Sequence, residues 1–289
     1  VMQQMMVDVA GRPFPELMRQ SVLEPLGMRN SSYDFNVSPD RAARVARGHR
    51  QDGTPIAGGW HRYPEMAAAG LWTTPSDLAR FAIAVHRAYR GEASGPISPA
   101  LARQMLTLTS GENGSGFGLG LQLERMGTPA WSFGHGGSNE GYRCLMVMFG
   151  ETGRGAVIMT SSDAGDAMVQ EILHALAREY GWPAFQPLEK TAVAMDPAAL
   201  RDVPGRYEGT LQGQTVSYTI DAVDGALMAT AGSWLAPRRL HPASAAEWRF
   251  FVRESEREYT FERDASGRVV RVRVTGGDAP EFTAERVSS

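Results

Sequence analysis

Residues 131–160 read WSFGHGGSNEGYRCLMVMFGETGRGAVIMT, and the architecture of the chain follows from this stretch. Trp131 to Phe133, Tyr142 to Phe149 and Ala156 to Thr160 are apolar or alternating runs of strand length. Gly150-Glu151-Thr152-Gly153 joins the last two as a hairpin signal, which makes those strands antiparallel. Between the first two lies Gly134-His135-Gly136-Gly137-Ser138-Asn139-Glu140-Gly141. Read from its residues alone, this cluster is a turn. Glycines let a backbone run close to a ligand, successive N–H groups can point at an anion, and a histidine offers a donor and an acceptor near neutral pH.

Helical spacing flanks these strands on both sides. Upstream, Met2, Met5, Met6 and Val9 share a helix face closed by Gly11, and Leu17, Met18, Ser21 and Val22 follow on a second helix. Residues 30–65 are polar and broken by Pro39, Gly48, Gly53, Pro55 and Gly58-Gly59. Thr74-Pro75-Ser76-Asp77 then opens a helix, with Thr74 as cap, Pro75 at the first helical position and Asp77 as a capping-box acid. Leu78, Phe81, Ala82 and Val85 form its buried face, and Ser98-Pro99 repeats the device. Phe117 to Leu123 reads as one further strand. Downstream, a helix over Asp166 to Tyr180 is expected to bury Met168, Ile172, Leu173, Leu176 and Tyr180.

The fold class is therefore α+β, an antiparallel sheet flanked by helices over residues 1–182. Residues 183–197 read as a linker. Residues 198–289 are nearly all period-2 segments separated by turns such as Asp224-Gly225 and Asp264 to Gly267, which predicts a small antiparallel β-barrel. Its inward positions are filled by Trp234, Trp248, Phe250 and Phe261.

Composition removes whole classes of function. The 29 Lys and Arg against 32 Asp and Glu give a net charge of −3, with no basic face for nucleic acid or an anionic membrane. No apolar run approaches the ~20 residues of a membrane span. Lys190 is the only lysine, so a phosphate-binding loop ending in Lys-Ser/Thr is absent. Cys144, the only cysteine, excludes an internal disulfide and reads as a small core residue. No serine has glycines two residues before and after it, and the six histidines lack metal-ligand spacing. No metal or cofactor is expected.

Taken in order, Gly11-Arg12-Pro13-Phe14, Pro25-Leu26-Gly27-Met28-Arg29-Asn30-Ser31-Ser32, Ala69-Gly70-Leu71-Trp72-Thr73-Thr74-Pro75-Ser76-Asp77-Leu78 and Gly134 to Gly141 resemble the serine β-lactamase and penicillin-binding-protein superfamily. The nearest branch is the class C-like one, with its carboxylesterases and D-aminopeptidases. The terminal domain resembles the lipocalin-like barrel appended to many such hydrolases. The resemblance implies three catalytic elements: Ser-x-x-Lys, a Tyr motif, and a Lys-Thr-Gly or His-x-Gly strand.

Only the third is found, as His135-Gly136-Gly137. The N–H of Ser138 is the implied oxyanion donor, and Gly136, Gly137 and Asn139 are implied substrate contacts. Pro187 stands three residues before the one lysine, and no Tyr is followed two residues later by Asn. The expectation is thus an N-terminally truncated serine hydrolase, inactive as this chain alone. It would act through an acyl-enzyme on a small ester, amide or β-lactam, and its relatives imply export to the periplasm or beyond. Because a neutral histidine replaces the lysine charge at position 135, neutral esters and amides rank above β-lactams. The alternatives are a catalytically inactive homologue that binds cell-wall peptide, and a carrier whose barrel holds an apolar molecule.

Overall fold

A computed structural model describes residues 1–92, 95–211, 213–231, 237–253, 255–276 and 281–287. The chain divides into two compact units, Val1–Gln186 and Pro187–Ser289, with the boundary inside the stretch read as a linker.

The first unit begins with α1 (Met2–Ala10), stopped by Gly11 at φ 64°, a left-handed conformation that glycine adopts without Cβ strain. Then come α2 (Phe14–Met18), which runs on as a π-helical turn over Arg19–Leu23, and the short α3 (Pro39–Ala42) and α4 (Met66–Ala69). Next are α5 (Pro75–Tyr89) and α6 (Pro99–Met105). Both start as their sequences dictate: the Thr74 hydroxyl accepts the Asp77 N–H at 3.2 Å, and the Ser98 hydroxyl accepts that of Leu101 at 3.1 Å. Asp77 departs from the capping-box expectation. Its carboxylate turns away from the cap and accepts from the Asn30 N–H at 2.7 Å and the Ser31 hydroxyl at 2.9 Å, so it ties the start of α5 to the Met28–Ser32 segment.

Six antiparallel strands follow in sequence order: β1 (Ser110–Glu112), β2 (Ser115–Phe117), β3 (Gln122–Glu124), β4 (Ser132–Asn139), β5 (Tyr142–Phe149) and β6 (Gly155–Thr160). The single strand expected over Phe117 to Leu123 is instead the end of β2, a turn and the start of β3; Gly118 lies against the Met105 carbonyl oxygen, where a Cβ would fall 2.1 Å from it. The continuous apolar run in β5 reflects a sheet covered on both faces. On one face Met146 and Met148 pack with Phe133, Leu123, Trp131 and the Ala82, Val85 and Ala88 side of α5. On the other, Val147 and Phe149 pack against α7 (Gly165–Glu179). Full burial of each such side chain contributes about 1.5–3 kcal/mol.

The buried stripe of α7 is Val169, Leu173 and Ala177, whereas Met168, Ile172 and Tyr180 are exposed. The expected face was thus rotated from the real one. Both are apolar, and only the packing against Ile158 and Trp182 selects between them.

The second unit is a closed barrel of β7 (Gly205–Leu211), β8 (Gln214–Val223), β9 (Ala226–Ala231), β10 (Arg238–Ser244), β11 (Arg249–Phe251), β12 (Glu258–Arg263), β13 (Val269–Thr275) and β14 (Phe282–Val287). Tyr207, Ile220, Leu227, Phe250, Phe261, Val272 and Val274 fill its interior, which leaves the carrier alternative without support. Trp248 sits half-buried beside that core with φ 52°, the Arg263 guanidinium 3.8 Å from its ring; Trp234 lies outside the described residues. Near the start of β7, Arg263 donates to both Asp202 carboxylate oxygens at 2.6 and 2.8 Å. Arg286 donates to the carbonyls of Asp202, Pro204 and Val269.

Candidate active site

Gly134 to Asn139 is not a turn. It is the body of β4, paired residue for residue with β5 from Ser132↔Phe149 to Asn139↔Tyr142; only Glu140 and Gly141 turn the chain. The glycines made the segment look like a loop, but each answers to its surroundings. A Cβ on Gly134 would fall 2.0 Å from the Met146 carbonyl oxygen, and one on Gly137 would fall 2.4 Å from Cys144 Sγ. At Gly136 a Cβ would meet only the Cys144 oxygen, at 4.0 Å, so the space above it is open.

The two edges of β4 are treated differently. β5 covers one along its whole length, while β3 pairs with the other only at Ser132, Phe133 and Gly134. From His135 to Asn139 no strand among the described residues pairs with that second edge. The N–H of Gly136 points toward it and donates weakly to the Gln122 carboxamide at 3.4 Å. Backbone groups alternate in direction along a strand, so the N–H and C=O of Ser138 point the same way, past the end of β3. This is the kind of unpaired donor that can receive a developing oxyanion.

The predicted residues meet here in different roles. His135 is exposed, on the same face as Phe133 and Gly137, with its ring edge-on to Phe117 at 6.2 Å. Ser138 is exposed, with its side chain on the opposite face. The Asn139 amide is already engaged, donating to the Ala69 carbonyl at 2.9 Å. Cys144 is half-buried beside Gly137 rather than in the core, and burial pushes its thiol above the ordinary value, which keeps it protonated at neutral pH.

The hairpin tip is clamped by residues that sequence reading passed over. The Glu140 N–H donates to the Tyr63 hydroxyl at 3.1 Å, and its carboxylate meets Arg50 at 2.6 Å and His61 at 2.8 Å. The Gly141 N–H donates to Asp163, which is paired in turn with Arg143 at 2.9 Å. The Tyr142 hydroxyl donates to the Ala46 carbonyl at 2.7 Å. Gly48 and Gly141 approach so closely that a Cβ on Gly141 would lie 2.9 Å from Gly48 Cα. The polar segment between residues 30 and 65 is thus a brace for the tip. Only the Gly48 and Gly58-Gly59 breakers hinted at it, because its partners lie about a hundred residues away in sequence.

Among the described residues no group of three or more His, Cys, Asp or Glu is placed to hold a metal ion, and no helix is long and apolar enough to cross a membrane.

The candidate site is thus a strand edge left without a partner strand beyond Gly134, beside an exposed histidine, on a sheet held between helices. The sequence matches the family model described as Beta-lactamase over residues 1–179, so the chain belongs to the Beta-lactamase family, within the serine β-lactamase and penicillin-binding-protein superfamily. No curated protein matches it. Solved structures similar to it include the octameric penicillin-binding protein homologue from Pyrococcus abyssi, at 19% identity and a TM-score of 0.49, covering 96% of this chain and 61% of that one. The D-amino acid amidase from Ochrobactrum anthropi SV3 is similar at 23% identity and a TM-score of 0.43, covering 55% and 47%. The β-lactamase/D-alanine carboxypeptidase from Pseudomonas syringae is similar at 18% identity and a TM-score of 0.47, covering 55% and 51%. The chain therefore spans between about half and three-fifths of the length of these structures.

Proposed function

We propose that this chain carries the strand side of the active site of a serine hydrolase that works through an acyl-enzyme on a small neutral ester or amide. The observation that carries the reading is the open edge of β4, where the Ser138 N–H has no partner strand. In this reading the Ser138 N–H holds the oxyanion and Gly136 lets the acyl group lie against the backbone, while Gly137 makes room for Cys144 rather than for the ligand. Asn139 acts indirectly, by fixing the strand through Ala69.

The nucleophile is a different matter. Ser-x-x-Lys does not occur in these 289 residues, because Lys190 is the only lysine and Pro187 stands three residues before it. The covalent route therefore needs a serine and a lysine from outside this sequence. Losing one oxyanion donor costs roughly 10²–10³ in rate, whereas losing the nucleophile removes the path itself. Export to the periplasm or beyond belongs to the same proposal.

The test is the source DNA upstream of the Val1 codon and the protein it encodes. A frame that runs open into Val1 and specifies Ser-x-x-Lys, with a product that hydrolyses a p-nitrophenyl ester, supports the reading. A frame without that serine and lysine leaves a binding homologue in its place. Hydrolysis of a carboxylated β-lactam and its methyl ester at equal rates supports the neutral preference, and a strong bias to the free acid refutes it.

A further inference from the structure

The imidazole of His135 has a defined polarity. Its Nδ1 lies 2.5 Å from the carbonyl oxygen of Gly136, and a carbonyl can only accept, so Nδ1 carries a hydrogen and donates it. A second contact braces the ring, Phe117 from β2 in a T-shaped arrangement. In a neutral imidazole with its hydrogen on Nδ1, the other nitrogen has a bare lone pair. Ring geometry turns the Nε2 lone pair away from the Nδ1–H bond and so away from the Gly136 carbonyl, and the residue is exposed. The Gly136 carbonyl points to the open edge of β4, as its N–H does, so the ring bound to it lies along that edge.

From this geometry we infer that His135 offers a hydrogen-bond acceptor to whatever occupies the β4 edge, so the site selects acyl compounds that carry an N–H or O–H donor near the reacting carbonyl. A carboxylate in the same place meets a lone pair instead of a donor. An N-alkylated or otherwise donor-free isostere leaves Nε2 without a partner once water is displaced. Phe117 adds an aromatic surface beside the ring, which suits donors attached to an apolar or aromatic acyl group. The inference rests on the acyl-hydrolase reading and deepens it by naming the substrate class.

The test has two readouts on the 289-residue chain, neither of which needs turnover. Two-bond proton–nitrogen correlation spectra at pH 8, well above the ordinary imidazole range, report which ring nitrogen is protonated. The His135 signals are assigned by their loss in His135→Ala, a substitution at an exposed position. The expected result is hydrogen on Nδ1 and a bare Nε2.

Phenylacetamide, N,N-dimethylphenylacetamide and phenylacetate are then titrated while the Ser138 amide resonance is followed. The primary amide is expected to bind roughly 2- to 12-fold more tightly than its dimethyl analogue, the span of one net neutral hydrogen bond, with phenylacetate weakest. That difference is expected to vanish in His135→Ala. Hydrogen on Nε2, equal affinity for the two amides, or no response of Ser138 to either overturns the inference. Ester hydrolysis by the longer protein is measured separately, so loss of the tautomer result leaves the hydrolase reading standing, and failure of hydrolysis with the tautomer intact removes only that reading.

Discussion

Replacing Asp77 with alanine tests how the first unit is held together. The carboxylate is 2% exposed, yet it is the meeting point of two segments 46 and 47 residues apart in sequence. It accepts the Asn30 N–H and the Ser31 hydroxyl, each a hydrogen bond to a charged acceptor worth about 1.5–3 kcal/mol. It also stands in the first turn of α5, where a negative charge adds about 0.3–1 kcal/mol. Arg80, 3.7 Å away and largely exposed, adds little. Ser31 keeps the Thr73 hydroxyl at 2.7 Å after the substitution, so only the Asn30 N–H is left without a partner. We therefore expect Asp77→Ala to cost about 3–4 kcal/mol and Asp77→Asn, which keeps one acceptor oxygen, about half that. Ser31→Ala alone, which removes the same bond to the carboxylate, is expected to cost about 1.5–2 kcal/mol. The double variant should fall short of the sum by about 1–2 kcal/mol, because both changes remove one bond. Two units make a single global midpoint ambiguous, so the assay is amide exchange across residues 28–34 and 72–79 during urea titration. A loss below about 1 kcal/mol, or strict additivity of the two variants, refutes the view that Asp77 joins these segments.

Gly141→Ala is expected to be severe, because the position has φ 83° and a Cβ there would meet Ile56 Cδ1 at 2.4 Å and Gly48 Cα at 2.9 Å. A cost of about 3 kcal/mol or more should appear as lost exchange protection across both β4 and β5. In a protein that carries the proposed serine and lysine, Ser138→Ala should leave ester turnover within a few-fold, since the proposed donor is the main-chain N–H. Ser138→Pro should lower it by roughly 10²–10³ without changing Cys144 accessibility; equal effects of the two substitutions would sink the oxyanion role. The barrel should weaken in acid. Burial raises the Asp202 carboxyl, but the Arg263 hydrogen bonds and the Val269 N–H outweigh it and hold it below the ordinary value. A depressed carboxyl contributes stability that is present above the unfolded-state value of about 3.9 and is lost as pH falls through the lower folded value. The stability of Asp202→Asn, read from amide exchange across the barrel strands during urea titration, should therefore be lower than the parent at pH 6 and converge with it toward pH 2–3; a gap that persists there contradicts the linkage.

Much of the scaffold was legible because its signals are local. Thr74-Pro75 and Ser98-Pro99 cap α5 and α6 through bonds that span three residues, and Gly150 to Gly153 closes the β5–β6 hairpin as its composition dictates. What escaped depends on distant partners. Gly134 to Gly137 has the composition of a loop, and it is a strand because β5 supplies a ladder along its whole length. β7 and β10 carry a weak strand signal, because Gly209 and Pro242 interrupt them. Gly209 is needed where a Cβ would fall 2.2 Å from the Thr283 carbonyl oxygen, and Pro242 sits at an irregularity in pairing. The helix face of α7 could not be chosen from periodicity, since Met168 and Ile172 are as apolar as Val169 and Leu173. At the site, the resemblance named His135 and Ser138. It could not show that Asn139 is committed to Ala69 or that β3 ends at Gly134, because both follow from which backbone lies alongside.

The brace at the hairpin tip and the open edge are parts of one arrangement. A one-residue slip of β4 against β5 would move every side chain of β4 to the opposite face and carry His135 away from Phe117. Glycine at 134, 136 and 137 gives the strand few side chains with which to resist such a slip. The restraint has to come from the ends. At one end Phe133 is fully buried in the core. At the other, Asn139, Glu140, Gly141 and Tyr142 each bond to a different backbone or side-chain partner: Ala69, Tyr63, Asp163 and Ala46. Those two anchors fix the register of the residues between them and free those residues from packing duty. Those residues can then be glycine, which admits the close approach of Met146 and Cys144 at 134 and 137 and leaves open space at 136. The fold thus secures β4 at its two ends and leaves the edge between them open.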